Sequence, residues 1–544
     1  MKVELYNQIV NAGLTRRGVL KGAASVGALS MMGSMMKPGA AMAQDDLRQQ
    51  LLAIPGVGNG SPTDADWQKV GELCLGATKA NVAEGEFAGV ELTFFGINNN
   101  GLHNILFRGF LASWEAYTGA KINWIDLAQA DYNPRLQQSI ATGTVDFDIL
   151  AMGAPLEGDT AGQGLLDEMP DWVKTQIEMD DYVSYLQAPV GTWAGKTYRI
   201  TIDGDCHTFA YRKDYFGEGS ISGLAEAPTT WAQVNSYSAA VKGQKDPLTG
   251  QDAIGYLDPL KGWGGFGFYF LEDRATAYVK YPGNPAWLFE PETMKPMVNN
   301  PGWVQAIQDV MDNIPNMPAD QINADPGTTA FQQFLAGTGS GVCWWGDVGS
   351  NAKTSDTSVV GDVVGFSINP GADKVYNPTT AAWETPETPN FAPNMAFLGW
   401  GVYVTNRVSG DEKKRKAAWS VAAHLGGKDI SLWMAAYPSG FQPYRNSHFN
   451  YEEWAAAGYD KAFVEDYLGS NADSYNHPNA AIEPRIPGIF QYYSVAEDEL
   501  AKGYAGQYAS AQETADAIAA AWEKITDQIG RDGQIALYKA SLGM

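Results

Sequence analysis

Between Gly89 and Gly153 the chain alternates short apolar runs with helical stretches, and this rhythm restricts the fold more than any other feature. "GVELTFFGINNNG" reads as a buried strand ending in a polar turn. In "LHNILFRGFLASWEAYTG" the residues Leu102, Leu106, Phe110 and Trp114 recur at helical spacing, and Gly119 stops the run. "AKINWIDL" alternates like a strand, "YNPRLQQSIATG" is a short helix, and "DFDILAMG" is a second buried strand. Strand, helix, strand, helix, strand in so few residues is the pattern of a doubly wound parallel sheet.

A second unit follows "DGDCHTFAYRKDYFG". Its "APTTWAQVNSYSAAVKG" is a helix with Thr230 at the N-cap and Gln233 three residues on, the spacing of a capping box. "GWVQAIQDVMDNI", "TTAFQQFLAG" and "KKRKAAWSVAAHLGG" read as further helices, "GSGVCWWGD" as an apolar strand, and "SAQETADAIAAAWEKITDQIG" as an amphipathic surface-packed helix. "PGADKVYNPTTAAWETPETPNFAPN" is a Pro/Thr-rich loop long enough for a binding or lid role. Residues 45–88 form an extension with a helical stretch in which Trp67, Val70, Leu73 and Cys74 share a face. No internal repeat is visible.

At 544 residues and 12% aromatic content, the chain has material for two or three packed domains. Its net charge of −25 excludes nucleic acid and anionic membrane as partners. The three cysteines, Cys74, Cys206 and Cys343, form no C-x-x-C and are expected to be buried thiols. The five histidines show no metal-binding spacing, so neither a metal nor a cofactor is expected.

The N-terminus adds an address. Thr15, Arg16, Arg17, Gly18, Val19, Leu20 and Lys21 resemble the twin-arginine export signal, ahead of an uncharged stretch from Gly22 to Met36. That stretch is too short and too rich in Gly, Ser and Ala to span a bilayer stably. Ala41-Met42-Ala43 before Gln44 has the form of a signal peptidase site, and no cysteine follows it to carry a lipid. The mature chain is therefore expected to begin at Gln44 and to be free in a periplasm.

The order of segments resembles the maltose-binding type of extracellular solute-binding protein, the family 1 receptors of carbohydrate ABC importers. "WEAYTGAKINW", "LQQSIATGTVDFDILAMG", "WAGKTYRITIDGDCHTFAYRKDYFG", "PTTWAQV", "FQQFLAGTGSGVCWWGD", "GWGVYVTN" and "EPRIPGIFQYY" occur in that family's order over roughly residues 89–525. The extension at 45–88 and the loop at 370–393 depart from it. The resemblance implies two α/β lobes joined by a hinge, with a ligand cleft between them. It divides the chain into a signal (1–43), a helical extension (44–88), a first lobe (89–205) and a second lobe (206–365). A return to the first lobe including the long loop (366–435) follows, then a cleft segment with C-terminal helices (436–544), mainly in the second lobe. The implied function is capture of a saccharide or polyol for an ABC permease, by a monomer that is not an enzyme.

Ligands of such sheets sit beyond the carboxyl ends of strands. There, Asn98, Asn99 and Asn100 follow the first strand and His103 opens the next helix, while Met152, Glu157 and Asp159 lie in "MGAPLEGD". Sugar recognition calls for carboxylates and amides toward hydroxyls and for aromatic faces toward C–H patches. The resemblance puts Asp203 and Asp205 at the hinge, with Asp205 at the position where an acid meets the sugar. It matches Trp344 and Trp345 to a stacking-tryptophan segment, of which strand alternation lets one face the cleft. Trp263, Trp400, Tyr492 or Tyr493, Arg445 and Arg485 complete the candidates. Each has a plain rival: core packing for the tryptophans and His207, a turn for the asparagines, and pairing with Glu483 for Arg485.

A cationic or zwitterionic solute is an alternative ligand, served by clustered acids and an aromatic cage. A secreted glycoside hydrolase would also show aromatics and acids, but Asp203 and Asp205 are two residues apart and would share one face of a strand. A twin-arginine redox enzyme lacks its cofactor motifs here. The export reading has its own test: with Arg16→Lys and Arg17→Lys combined, full-length precursor is expected to stay in the cytoplasm. Normal periplasmic accumulation of that variant, measured by cell fractionation, would remove the assignment.

Overall fold

The structure, a computed structural model, describes residues 64–99, 102–261, 265–318, 321, 326–355, 357–436, 441–456 and 459–544. The signal-like segment, residues 44–63, Asn100 and Trp263 lie outside the described residues. The chain first lays down β1 (Glu91–Asn99), β2 (Leu102–His103), β3 (Lys121–Leu127), β4 (Ile149–Gly153) and β5 (Ile200–Thr201). It then builds β6 (His207–Arg212), β7 (Gly341–Trp345), β8 (Val364–Ser367), β9 (Val375–Asn377) and β10 (Ala382–Glu384). Last come β11 (Asn394–Met395), β12 (Trp400–Val404) and β13 (Ala481–Ile482).

The first lobe is a sheet in the order β3–β1–β4–β12–β5. β1 runs parallel to β3 and β4, and β12 enters antiparallel to both β4 and β5. The inner strands β4 and β12 are covered on both faces, which is why they are almost wholly apolar, while the edge strand β3 leaves Lys121 and Asp126 exposed. Leu92, Phe94, Ile149, Ala151, Val402 and Val404 face a core with Leu106, Phe110 and Trp114 of the helix Asn104–Thr118. The alternate residues Phe95, Ile97, Leu150, Met152 and Tyr403 face Tyr132, Leu136 and Ile140 of the helix Gln129–Thr142.

The asparagine run departs from expectation. Asn98 and Asn99 belong to β1, paired antiparallel with His103 and Leu102 of β2, and the helix begins at Asn104. The short return strand satisfies backbone groups that a turn would have left to solvent, so β1 extends through them.

The second lobe is built on an antiparallel sheet, β7–β6–β8, with the strand arriving from the first lobe at its centre. The Thr230–Gln233 capping box forms and opens the helix Trp231–Val241. The helix Phe266–Val279 is buried on nearly all sides, between Pro301–Asn313 and Ile489–Tyr504. The Pro/Thr-rich segment, expected within the return to the first lobe, lies instead on the second. Its β9–β10 hairpin packs on Phe266–Val279, and β8 before it belongs to the second sheet. Backbone pairing decides this: Arg212 and Val364 are partners, so the chain is still in the second lobe at residue 367.

The extension is part of the first lobe. Its helices Asp64–Leu73 and Leu75–Asn81 lie on Asn104–Thr118, burying Val70, Leu73 and Cys74. Beneath them the Thr78 hydroxyl meets His424 Nδ1 at 3.0 Å, while His424 Nε2 faces the Phe110 carbonyl at 3.1 Å. Burial pushes this imidazole down to about 4, which keeps it neutral. All three cysteines are buried and free.

The crossing of the extension over Asn104–Thr118 is close enough that a methyl group on Gly71 would overlap the Phe110 carbonyl. Gly71→Ala is therefore expected to destabilise the protein by about 1–3 kcal/mol. Amide exchange is expected to accelerate first in residues 64–81. Unchanged exchange there would show that the crossing adapts without cost.

Candidate functional site

Three segments pass between the lobes, and their residues interlock. The first carries Asp203, Gly204 and Asp205 between β5 and β6; the second carries Phe397, Leu398 and Gly399 between β11 and β12. The third begins at Phe441, which packs in the first lobe's core, and reaches Trp454 in the second's. Gln442 joins them. Its backbone N–H donates to Asp203 Oδ1 (2.8 Å), and its amide donates to Asp205 Oδ1. Its Oε1 accepts from the N–H of Gly346 at the end of β7 (2.8 Å) and from Cys206 N–H (3.4 Å). Tyr475 donates to the Gly204 carbonyl and Tyr185 to that of Asp205 (3.2 Å).

The second crossing holds three consecutive left-handed residues, Phe397 (φ 69°), Leu398 (φ 51°) and Gly399 (φ 81°). For the two non-glycine residues this conformation costs about 1–2 kcal/mol each. At Gly399 a side chain would also overlap the Asp203 carbonyl, so two crossings touch backbone to backbone. Glu483 secures the turn by accepting from Phe397 N–H (3.0 Å), and its other oxygen accepts from the Tyr269 hydroxyl (2.7 Å).

Half-buried aromatic rings surround this junction. Phe266 stacks on Phe490 at 5.5 Å and lies 5.3 Å from Phe397. Trp400 packs on Phe397 and Tyr132 and touches the cores of both lobes. The two neighbouring tryptophans separate as strand alternation requires. Trp344 is core, stacked between Phe331 (4.7 Å) and Phe270 (5.4 Å). Trp345 is half-buried, edge-on to His207 at 4.5 Å and beside Phe266 and Tyr269.

Carboxyl groups crowd the same place. Asp205 feels the charges of Asp203, Asp347 and Glu483, and Glu272 those of Glu483 and Asp273. Burial is the larger cause and this repulsion adds to it, holding the Asp205 and Glu272 carboxyls well above the usual range. Burial also raises Asp203 well above that range. Asp347 and Glu483 are pushed up to about 8 by burial.

Several other candidates are committed elsewhere. Glu157 is buried and accepts from Arg485 Nη1 (2.6 Å) and the Tyr403 hydroxyl (2.8 Å), with Arg199 Nε at 3.5 Å. Arg485 therefore pairs with Glu157 and not with Glu483, and it also donates to the carbonyls of Val190 and Thr192. Arg445 is buried in the first lobe, donating to Ser431 and the carbonyls of Gly426 and Glu178. Asp159 accepts from Gly488 N–H (3.0 Å), and burial raises it to about 6. Met152 is in the core beneath Thr160. Tyr492 is buried against Thr526 (2.9 Å), away from the junction; its neighbour Tyr493 is the one near Glu272 and Glu483.

Sequence reasoning missed Gln442, Asp347, Glu272 and Tyr269. Asp347 was within reach, since it closes the quoted "GSGVCWWGD". Tyr269 and Glu272 lie one helical turn apart on the helix that begins at Phe266, a spacing that could have flagged them. No local pattern marks Gln442.

The family of bacterial extracellular solute-binding proteins matches residues 110–459, and the chain belongs to it. The mannitol-binding protein of Pseudomonas aeruginosa is 25% identical over 285 residues, which is 51% of this chain and 60% of that relative's length. Among solved structures, a solute-binding protein of Agrobacterium radiobacter K84 in complex with ribitol superposes with a TM-score of 0.60 at 19% identity, covering 81% of this chain and 99% of the other. One from Agrobacterium vitis S4 with bound D-mannitol gives 0.59 at 18%, again covering 81% and 99%. Maltose-bound MalE3 of T. maritima gives 0.58 at 16%, covering 80% and 100%. These likenesses show the two-lobed α/β fold.

The two tryptophans give a direct check on the site. Trp344→Ala removes a fully packed ring and is expected to lower unfolding stability by about 3–5 kcal/mol in urea titration. Trp345→Ala is expected to cost clearly less. Equal losses would mean that Trp345 is core as well.

Proposed function

We propose that this protein captures a polyol or small saccharide in the cleft between its lobes and delivers it to the membrane permease of an ABC importer. The observation that carries this reading is the junction itself. Hydrogen-bonding carboxyl groups and half-buried aromatic rings converge where three chain segments cross between lobes. Carboxyls and amides match hydroxyl groups, rings match C–H faces, and the crossings let one lobe turn on the other. A ligand touching both lobes stabilises the closed arrangement through contacts that an open one lacks. The ribitol, mannitol and maltose complexes of proteins with this fold support the ligand class. The mannitol-binding relative points toward linear polyols within it.

The reading is one of binding without catalysis, and the placement of the two hinge aspartates supports it. Asp203 and Asp205 are both engaged by Gln442 and are not set on opposite sides of a bond, as a glycosidase requires. In this reading the protein works as a monomer in the periplasm, exported by the twin-arginine route without a lipid anchor. No helix among the described residues is long and apolar enough to cross a membrane.

Thermal shift against mannitol, ribitol, glucitol, maltose and monosaccharides tests the proposal. A true ligand at 100 times its dissociation constant is expected to stabilise by about 2.7 kcal/mol. Asp205→Ala and Trp345→Ala are each expected to weaken that ligand about ten- to hundred-fold. No shift with any sugar or polyol would overturn the reading.

A further inference from the structure

The carboxyl groups at the junction form a row in which each member lies within the field of the next: Glu272, Glu483, Asp205 and Asp347. Two of them are short of partners. Both carboxylate oxygens of Glu272 are buried and have no hydrogen-bond partner among the described residues, and the same holds for Asp347 Oδ1. The Tyr493 hydroxyl, also buried, lies close to Glu272 and Glu483 without a well-directed hydrogen bond to either. On the far side, the Asn471 amide is fully buried and lies against Gly346, next to Asp347, with the Tyr467 hydroxyl close by but no well-directed hydrogen bond to either of its polar atoms.

A buried carboxylate is normally matched by a cation. The basic groups nearby are already engaged. Arg485 and Arg199 are held by Glu157 and by backbone carbonyls, and His207 Nδ1 is 2.8 Å from both oxygens of Asp273. Among the described residues, none of these three turns to Glu272 or Asp347. Beside the row stands Trp345, a ring able to face a cation. The protein thus supplies acceptors and an aromatic face, and leaves the positive charge to come from elsewhere.

We propose that the ligand carries a protonated amine among its hydroxyl groups, as an amino polyol or amino sugar does, and that the amine sits on this carboxylate row beside Trp345. The inference rests on the cleft being a polyol or sugar site and narrows its ligand. Hydroxyl groups still account for Asp203 and the hinge amides, while the amine answers the acceptors that neutral hydroxyls would match less strongly. Burial and mutual repulsion, which raise these carboxyls when no cation is present, agree with this arrangement.

Calorimetric titration of the mature protein with D-mannitol and ribitol, and with each one's analogue bearing a terminal primary amine, tests it. At neutral pH and low salt at least one amine is expected to bind about tenfold or more tightly than its parent polyol. The N-acetylated analogue, which keeps the nitrogen but loses the charge, is expected not to share the gain. Glu272→Gln and Asp347→Asn are each expected to narrow the ratio. An amine that binds where its parent polyol does not would support the inference most strongly. Parents binding as well as or better than their amines would overturn it and leave the polyol reading standing. Failure of both sets to bind would overturn both.

Discussion

The side chain and backbone of one glutamine hold the hinge in register. Gln442 reaches Asp203 and Asp205 on the first crossing, Gly346 at the end of a second-lobe strand, and its own third crossing. Each of these hydrogen bonds is buried, where a lost partner costs about 1–3 kcal/mol. Everything at the junction takes its place from this knot. The Asp205 carboxyl is turned where Glu483 and Asp347 can feel it, and Gly399 is drawn against the Asp203 carbonyl.

The same knot explains why so much unfavourable chemistry coexists in a small volume. Left-handed backbone at Phe397 and Leu398, and carboxyl groups crowded away from water, are each unstable arrangements taken singly. They persist because the two lobes, each with its own core, determine them from both sides. Strain and repulsion gather at the boundary between two stable bodies.

Periodicity made the first lobe legible: the strands of 91–153 and the helices between them lie where the apolar spacing places them, and in the second lobe the Thr230–Gln233 spacing marked a helix start. Register was harder. Both faces of β7 are apolar, so sequence alone could not tell which of Trp344 and Trp345 packs inward until β6 fixed the pairing. Charged residues misled for a different reason. Glu157 and Arg485 stand 328 positions apart, and nothing local shows that they satisfy one another. Gln442 was invisible because an amide acts through the partners that tertiary structure brings to it.

The extension has a consequence for the order in which the molecule is completed. Thr78, early in the chain, meets His424 across 346 positions, and the helix Asp64–Leu73 also rests on Lys428–Ala436. The first lobe's sheet likewise waits for β12 to fill the place between β4 and β5. A growing chain therefore cannot close its first lobe while the second is being made; the earlier half must stand open until nearly four-fifths of the sequence has left the ribosome. Contacts of such long range form slowly and leave apolar surface uncovered meanwhile.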